Sequence, residues 1–146
     1  MFIRIAVSLF ACLMISHNAI GSEPLAGEWK LDAKSTLKEV EQYLQKKKFV
    51  AGQIKQILDY YKAQIIPNMT MEIKEDAFTF TKKKGAKPDT YKVLSVKREE
   101  GQAHYTLDGG PTTKFELHCK TEKKLLYINS KGFDDYIGLV WVRKEK

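Results

Sequence analysis

From Met69 to Arg143 the chain alternates apolar and polar residues in runs short enough to be strands, separated by tight turns. Successive side chains on a strand point to opposite faces, so a run of this kind buries one face and wets the other. Met69, Met71 and Ile73 alternate with Thr70, Glu72 and Lys74, and Phe78 and Phe80 with Thr79 and Thr81. A corner at Glu75 and Asp76 pairs Ile73 with Phe78 and Met71 with Phe80, which puts every large apolar group on one face. Tyr91 to Lys97 begins in one phase, at Tyr91 and Val93, and ends in the other, at Leu94 and Val96, predicting a bulge that bends the sheet. For the next hairpin, a two-residue turn at Gly109 and Gly110 separates Tyr105 and Leu107 from Phe115 and Leu117. A three-residue turn, Gly109 to Pro111, pairs Tyr105 with Phe115 and Ala103 with Leu117, and is the expected one. Leu125 to Asn129 and Tyr136 to Arg143 follow.

Ahead of these, Leu25, Gly27, Trp29 and Leu31 alternate with Glu28, Lys30 and Asp32 as a first strand. The count of about eight short antiparallel strands predicts a mainly β protein closed into an up-and-down barrel. Between the first strand and the rest the period changes to that of a helix. Thr36 and Glu39 are spaced as a capping box; Leu37, Val40 and Leu44 form one apolar stripe, and Ile54, Ile57, Leu58, Tyr61 and Ile65 another. Pro67 closes this insert, about residues 35–66. One unbroken helix of about 30 residues would run about 45 Å, too long for a small barrel to cover. Two helices with a corner near Lys47 to Gly52 are expected.

Residues 1–22 read as a cleaved export signal. Arg4 lies in the first few residues, Ile5 to Ile15 is almost wholly apolar, and the small Ala19 and Gly21 precede a cut near Gly21 or Ser22. An apolar core of about a dozen residues is too short for a bilayer span, which needs about 20. The mature domain is then 23–146, placed in the periplasm or outside the cell. Its formal charge falls from +7 to +6 with Arg4, and Cys119 is its one cysteine, so the core must hold the fold without a disulfide. The basic balance suits anionic surfaces, and an exported chain is not expected to meet nucleic acid.

The stretch "LAGEWKLD", a helical pair and a meander of strands ending in "LVWVRK" together resemble the calycin group: lipocalins, fatty-acid-binding proteins and small exported lipocalin-like relatives. The resemblance implies that Trp29 of Gly27-Glu28-Trp29 sits at the closed end of the barrel with Arg143 across its indole, a latch between the first and last strands. The early helical pair is closer to fatty-acid-binding proteins, where it caps the cavity mouth. Those proteins have ten strands and end in an Arg-x-Tyr, whereas Arg143 here precedes Lys144 and Glu145.

No catalytic motif is present, and no cofactor or resident metal is expected. His118 and Cys119 are neighbours on a strand and face opposite ways, so they form no nucleophile and base pair. In the expected register His104 lies opposite Glu116 on the outer face with His118 one diagonal step away, an ordinary solvated face that carries metal-competent residue types. The inward set is the positive feature: Met71, Phe80, Tyr91, Tyr105, Phe115 and Tyr127, with Tyr61 above, would line an apolar space dotted with phenols. Such a set suits a small apolar or lipid-like ligand held under a helical lid, and suits a filled core equally, because eight strands can be only just wide enough for their own side chains. A solid barrel acting as an envelope adaptor or inhibitor through its basic surface is the alternative; an enzyme ranks below both. Lys46, Lys47 and Lys48 would sit at the rim, where an anionic membrane surface is a possible partner.

Overall fold

The alternation in the sequence is realised as eight strands in up-and-down order: β1 (Gly27–Leu31), β2 (Thr70–Ile73), β3 (Ala77–Thr81), β4 (Asp89–Glu99), β5 (Gln102–Asp108), β6 (Lys114–Glu122), β7 (Leu125–Lys131) and β8 (Val140–Arg143). The computed structural model describes residues 25–131 and 138–145. Each strand is antiparallel to the next, and β8 pairs with β1 to close the barrel. The export signal expected over residues 1–22, and the start of the last strand expected from Tyr136, lie outside the described residues.

The β2–β3 hairpin has the expected register, Met71 opposite Phe80 and Ile73 opposite Phe78. The phase switch in β4 is a bulge between Val93 and Ser95. In the β5–β6 hairpin the expected face is right and the expected rung is wrong. Tyr105 pairs with Leu117 and Ala103 with Cys119, two residues on from the expected partners, because the connection spans 109–113. Asp108 holds that longer loop through its carboxylate, which accepts from the Gly110 amide at 2.9 Å, while the Gly109 amide donates to the Thr113 carbonyl. A slip of two residues preserves the buried face, so apolar patterning alone does not forbid it.

The insert is two helices, α1 (Ala33–Lys46) and α2 (Ala51–Tyr60), with α2 running on into a π-helical turn, Tyr61–Ile65. α1 begins earlier than the expected box at Thr36 and Glu39. Asp32 is the N-cap, its carboxylate accepting from the Ser35 amide at 2.9 Å. Thr36 instead is fully buried: its hydroxyl accepts from the Val140 amide at 3.1 Å and donates to the Val140 carbonyl at 3.2 Å, fastening α1 to β8. Val40 and Leu44 bury the same face of the helix.

Both connections of the insert leave from one end of the barrel, since β1 ends and β2 begins there, with Lys30 opposite Thr70. The β3–β4 and β5–β6 loops lie at that helix-side end as well. The opposite end carries the β2–β3, β4–β5 and β6–β7 turns. Inside, Trp29, Met71, Ile73, Phe78, Tyr105, Leu107, Leu117, Cys119, Leu126 and Trp141 form one continuous buried core.

Candidate functional site at the helix-side end

The barrel wall is closed by the pairing of the first and last strands. Trp29 pairs with Arg143, whose guanidinium lies 4.6 Å from the centre of the indole ring and donates to the Ala26 carbonyl at 2.9 Å. The indole N–H donates to the Leu25 carbonyl at 2.9 Å, so the entering chain is drawn across the base. Gly27 makes this approach possible: its φ is +139°, and a Cβ there would stand 2.9 Å from Nη1 of Arg143.

Around the latch the interior is filled by side chains. Phe78 meets Tyr105 edge to face at 4.8 Å, and Phe80 reaches across to Trp141 at 6.4 Å. Met71, Phe80 and Tyr105 are therefore floor residues, buried in the core. Burial raises the Tyr105 phenol above its ordinary pKa, and a hydrogen bond with Arg98 works in the opposite direction. Burial alone pushes the Cys119 thiol up to about 12.

At the helix-side ends of β4 and β6 the packing loosens, although Leu107 on β5 between them is fully buried. Tyr91 and Phe115, close to the helix-side ends of β4 and β6, are half-buried, with ring centres 5.6 Å apart in a T-shaped contact. Tyr91 also meets Phe80 at 6.2 Å, joining the half-buried pair to the floor. Tyr61, Ile65 and Ile66 come down from the π-helical turn and its exit to pack on the core, each half-buried. Burial, with the nearby Asp89 carboxylate, raises the Tyr91 phenol. The expected stripe Ile54, Ile57, Leu58, Tyr61 and Ile65 is the half-buried face of this segment, and α2 itself buries no residue completely.

Of the residues expected to line the interior, the fold gathers Tyr61, Met71, Phe80, Tyr91, Tyr105 and Phe115 onto one side of the sheet and the cover over it. Tyr127 is not among them. It pairs with Lys120 and Val140 on the outer face, while its neighbour Leu126 points inward and is fully buried. The turn before it sets this phase: Lys123 and Lys124 both have positive φ, 50° and 67°, a two-residue connection that places Glu122 opposite Leu125. Outside, Tyr127 borders a groove beside α1, and its phenol is raised by burial and by the carboxylates of Glu122, Glu39 and Asp32. Trp141, opposite the inward Leu126, is also a core residue, and the continuous apolar run Leu139 to Val142 gives no alternation from which its face could be read.

The outer face of β5, β6 and β7 differs from expectation in the same way as the hairpin. His104 pairs directly with His118, their rings parallel within 8° and 4.2 Å apart, and Glu116 pairs with Thr106. His118 Nε2 lies 2.8 Å from Gln102 Oε1. His104, Thr106, Glu116 and His118 border a groove of about 410 Å³. Among the described residues no three of His, Cys, Asp and Glu come together to hold a metal ion.

A closed eight-stranded antiparallel barrel with two helices after strand 1 is consistent with a calycin-like fold. Comparison of the chain with family models, curated proteins and solved structures gives no match.

Proposed function

We propose that this is an exported, lipocalin-like protein that holds a small apolar or lipid-like molecule at the helix-side end of its barrel, beneath the α2 segment and its π-helical turn. The observation that carries the reading is a looser patch of packing where the helix-side ends of β4 and β6 meet the π-helical turn. The barrel core is filled by its own side chains, whereas Tyr91 and Phe115 on the strands, and Tyr61, Ile65 and Ile66 on the π-helical turn and its exit, stay half-buried, and the adjoining α2 buries no residue. Apolar walls with a few convergent polar groups are the usual make-up of a small-molecule site, and the Tyr61 and Tyr91 phenols are the groups to orient a polar head. A filled floor limits the ligand to one that lies against Phe80 and Phe115 without threading the barrel.

The test is uptake of N-phenylnaphthylamine, an uncharged apolar probe that brightens out of water. The expected result is saturable brightening in the wild type, weakened about tenfold or more by Phe115→Ala and by Tyr61→Ala, each being the loss of a large apolar contact. Saturable uptake left unchanged by both substitutions, or no uptake at all, overturns the reading. Native mass spectrometry of protein purified from its own host would identify a retained molecule directly.

A further inference from the structure

The corner between α1 and α2 brings exposed cations and exposed apolar side chains together in five consecutive residues. Lys46, Lys47 and Lys48 are all exposed there, and they are followed at once by Phe49, 41% exposed, and Val50, 64% exposed. Two neighbouring apolar side chains left in water beside three cations is not what a solvated turn requires.

The backbone at this corner is unusual as well. The Lys48 amide donates to the Gln45 carbonyl and the Phe49 amide to the Leu44 carbonyl, which together form the C-terminal motif that normally places glycine in the left-handed position. Here that position holds Lys48, at φ 61°. The fold thus keeps a lysine where glycine would sit without strain.

We propose that this corner is a docking tip for an anionic lipid bilayer. Phe49 and Val50 enter the boundary between head groups and acyl chains, while the three ammonium groups lie at the level of the lipid phosphates, their aliphatic stems along the apolar surface. Neither feature suffices alone, since one Phe and one Val bury little area and exposed lysines are screened by salt. Together they favour a surface that is both anionic and apolar just beneath. This docking does not rest on the barrel holding a ligand, and a barrel with a filled interior would dock equally.

Cosedimentation with vesicles of phosphatidylcholine and phosphatidylglycerol in equal amounts tests it, with vesicles of phosphatidylcholine alone as the comparison. Wild type is expected to pellet with the anionic vesicles, less so as salt rises. Replacing Lys46, Lys47 and Lys48 by glutamine is expected to weaken binding about a hundredfold, and Phe49→Ser with Val50→Ser about tenfold. Phe49→Trp reads insertion directly: the native Trp29 and Trp141 are buried in the barrel, so quenching by bromine-labelled lipid would come from the corner. Three results overturn the proposal. One is no preference for anionic vesicles. Another is undiminished binding of the Phe49 and Val50 variant, which leaves only attraction to polyanions. The third is a larger loss on replacing Lys82, Lys83 and Lys84 than on replacing the corner lysines.

Discussion

Arg143 and Trp29 are cross-strand partners on the pair of strands that closes the barrel, with the guanidinium 4.6 Å from the centre of the indole ring. The contact joins the first and last strands and adds a cation–π contact to the backbone bonds and apolar burial that hold β1 to β8. Trp29→Ala is expected to cost about 3–5 kcal/mol as a core truncation. Arg143→Ala is expected to cost about 0.5–2 kcal/mol for the lost cation–π contact. In denaturant melts the double variant should fall short of the sum of the singles by most of the smaller value. Gly27→Ala should destabilise through the same contact, since its new methyl group meets Nη1 and its φ disfavours any side chain.

The Lys48 backbone gives a prediction of opposite sign. A left-handed conformation costs a residue with a side chain about 1–2 kcal/mol. Glycine removes that cost and adds about 0.4–1 kcal/mol of freedom to the unfolded chain. Lys48→Gly should therefore raise stability by about 0.5–1 kcal/mol, seen as a higher denaturant midpoint with an unchanged slope. A lower midpoint would show that the lysine makes a contact worth more than its strain.

Much of the barrel was legible because alternation and short turns over-determine it. Ile73 and Phe78 flank so brief a corner that only one register buries both. The missed features were those in which a polar side chain or an unmarked turn decides. Nothing in "GGPTT" says that the Asp108 carboxylate will hold a five-residue loop, so the buried face of β5–β6 could be read and its rung could not. Lys123 and Lys124 make a turn of a type that normally advertises itself with Asn or Gly. Without that mark, the continuous apolar run Leu125 to Ile128 leaves the phase open, and Tyr127 was placed inside. The candidate site was legible to the extent that it lies on strands; how firmly the insert covers it depends on burial, which a helical stripe does not report.

Thr36 shows how a residue that reads as a cap can be a fastener. Thr36→Val keeps the shape and removes the hydroxyl, leaving the Val140 amide without its partner in a buried setting, while the Val140 carbonyl retains the Asp32 amide. The expected cost is about 1–3 kcal/mol. Thr36→Ser, which keeps both bonds, should cost less. Equal losses from the two in thermal or denaturant melts would mean that packing of the methyl group, not the hydrogen bonds, ties α1 to β8.

Cys119 sets the behaviour in alkali. Its thiol is pushed up to about 12 in the folded protein from an ordinary value of 9.0. Between those values the unfolded chain releases the proton and the folded chain keeps it, so stability is full below pH 9.0 and declines as pH rises toward about 12. The decline approaches about 1.4 kcal/mol per pH unit for one group. The Tyr105 phenol, also raised, acts in the same direction at higher pH. Cys119→Ala should flatten the slope just above pH 9.0 and leave the later fall in place. Thiol labelling of the native wild type should be slow and should accelerate only on unfolding.

The last prediction separates the two helices of the insert. α1 buries Thr36, Val40 and Leu44 and is fastened to β8, whereas α2 buries no residue. Backbone amides exchange with solvent through local opening, and the free energy of opening follows the buried contacts a segment must give up. Amides of Ala51 to Tyr60 should therefore exchange far faster than those of Val40 to Lys46, and faster again than those of β5 and β6. Opening α2 uncovers the half-buried Tyr61, Ile65 and Ile66, so a ligand bound against Phe115 and Tyr91 should slow exchange across α2 and the π-helical turn while leaving α1 nearly unchanged. Uniform protection across both helices in the free protein would mean that α2 moves only with α1. Entry of a ligand would then require the Thr36 fastening to break, and Thr36→Val should speed uptake of the apolar probe.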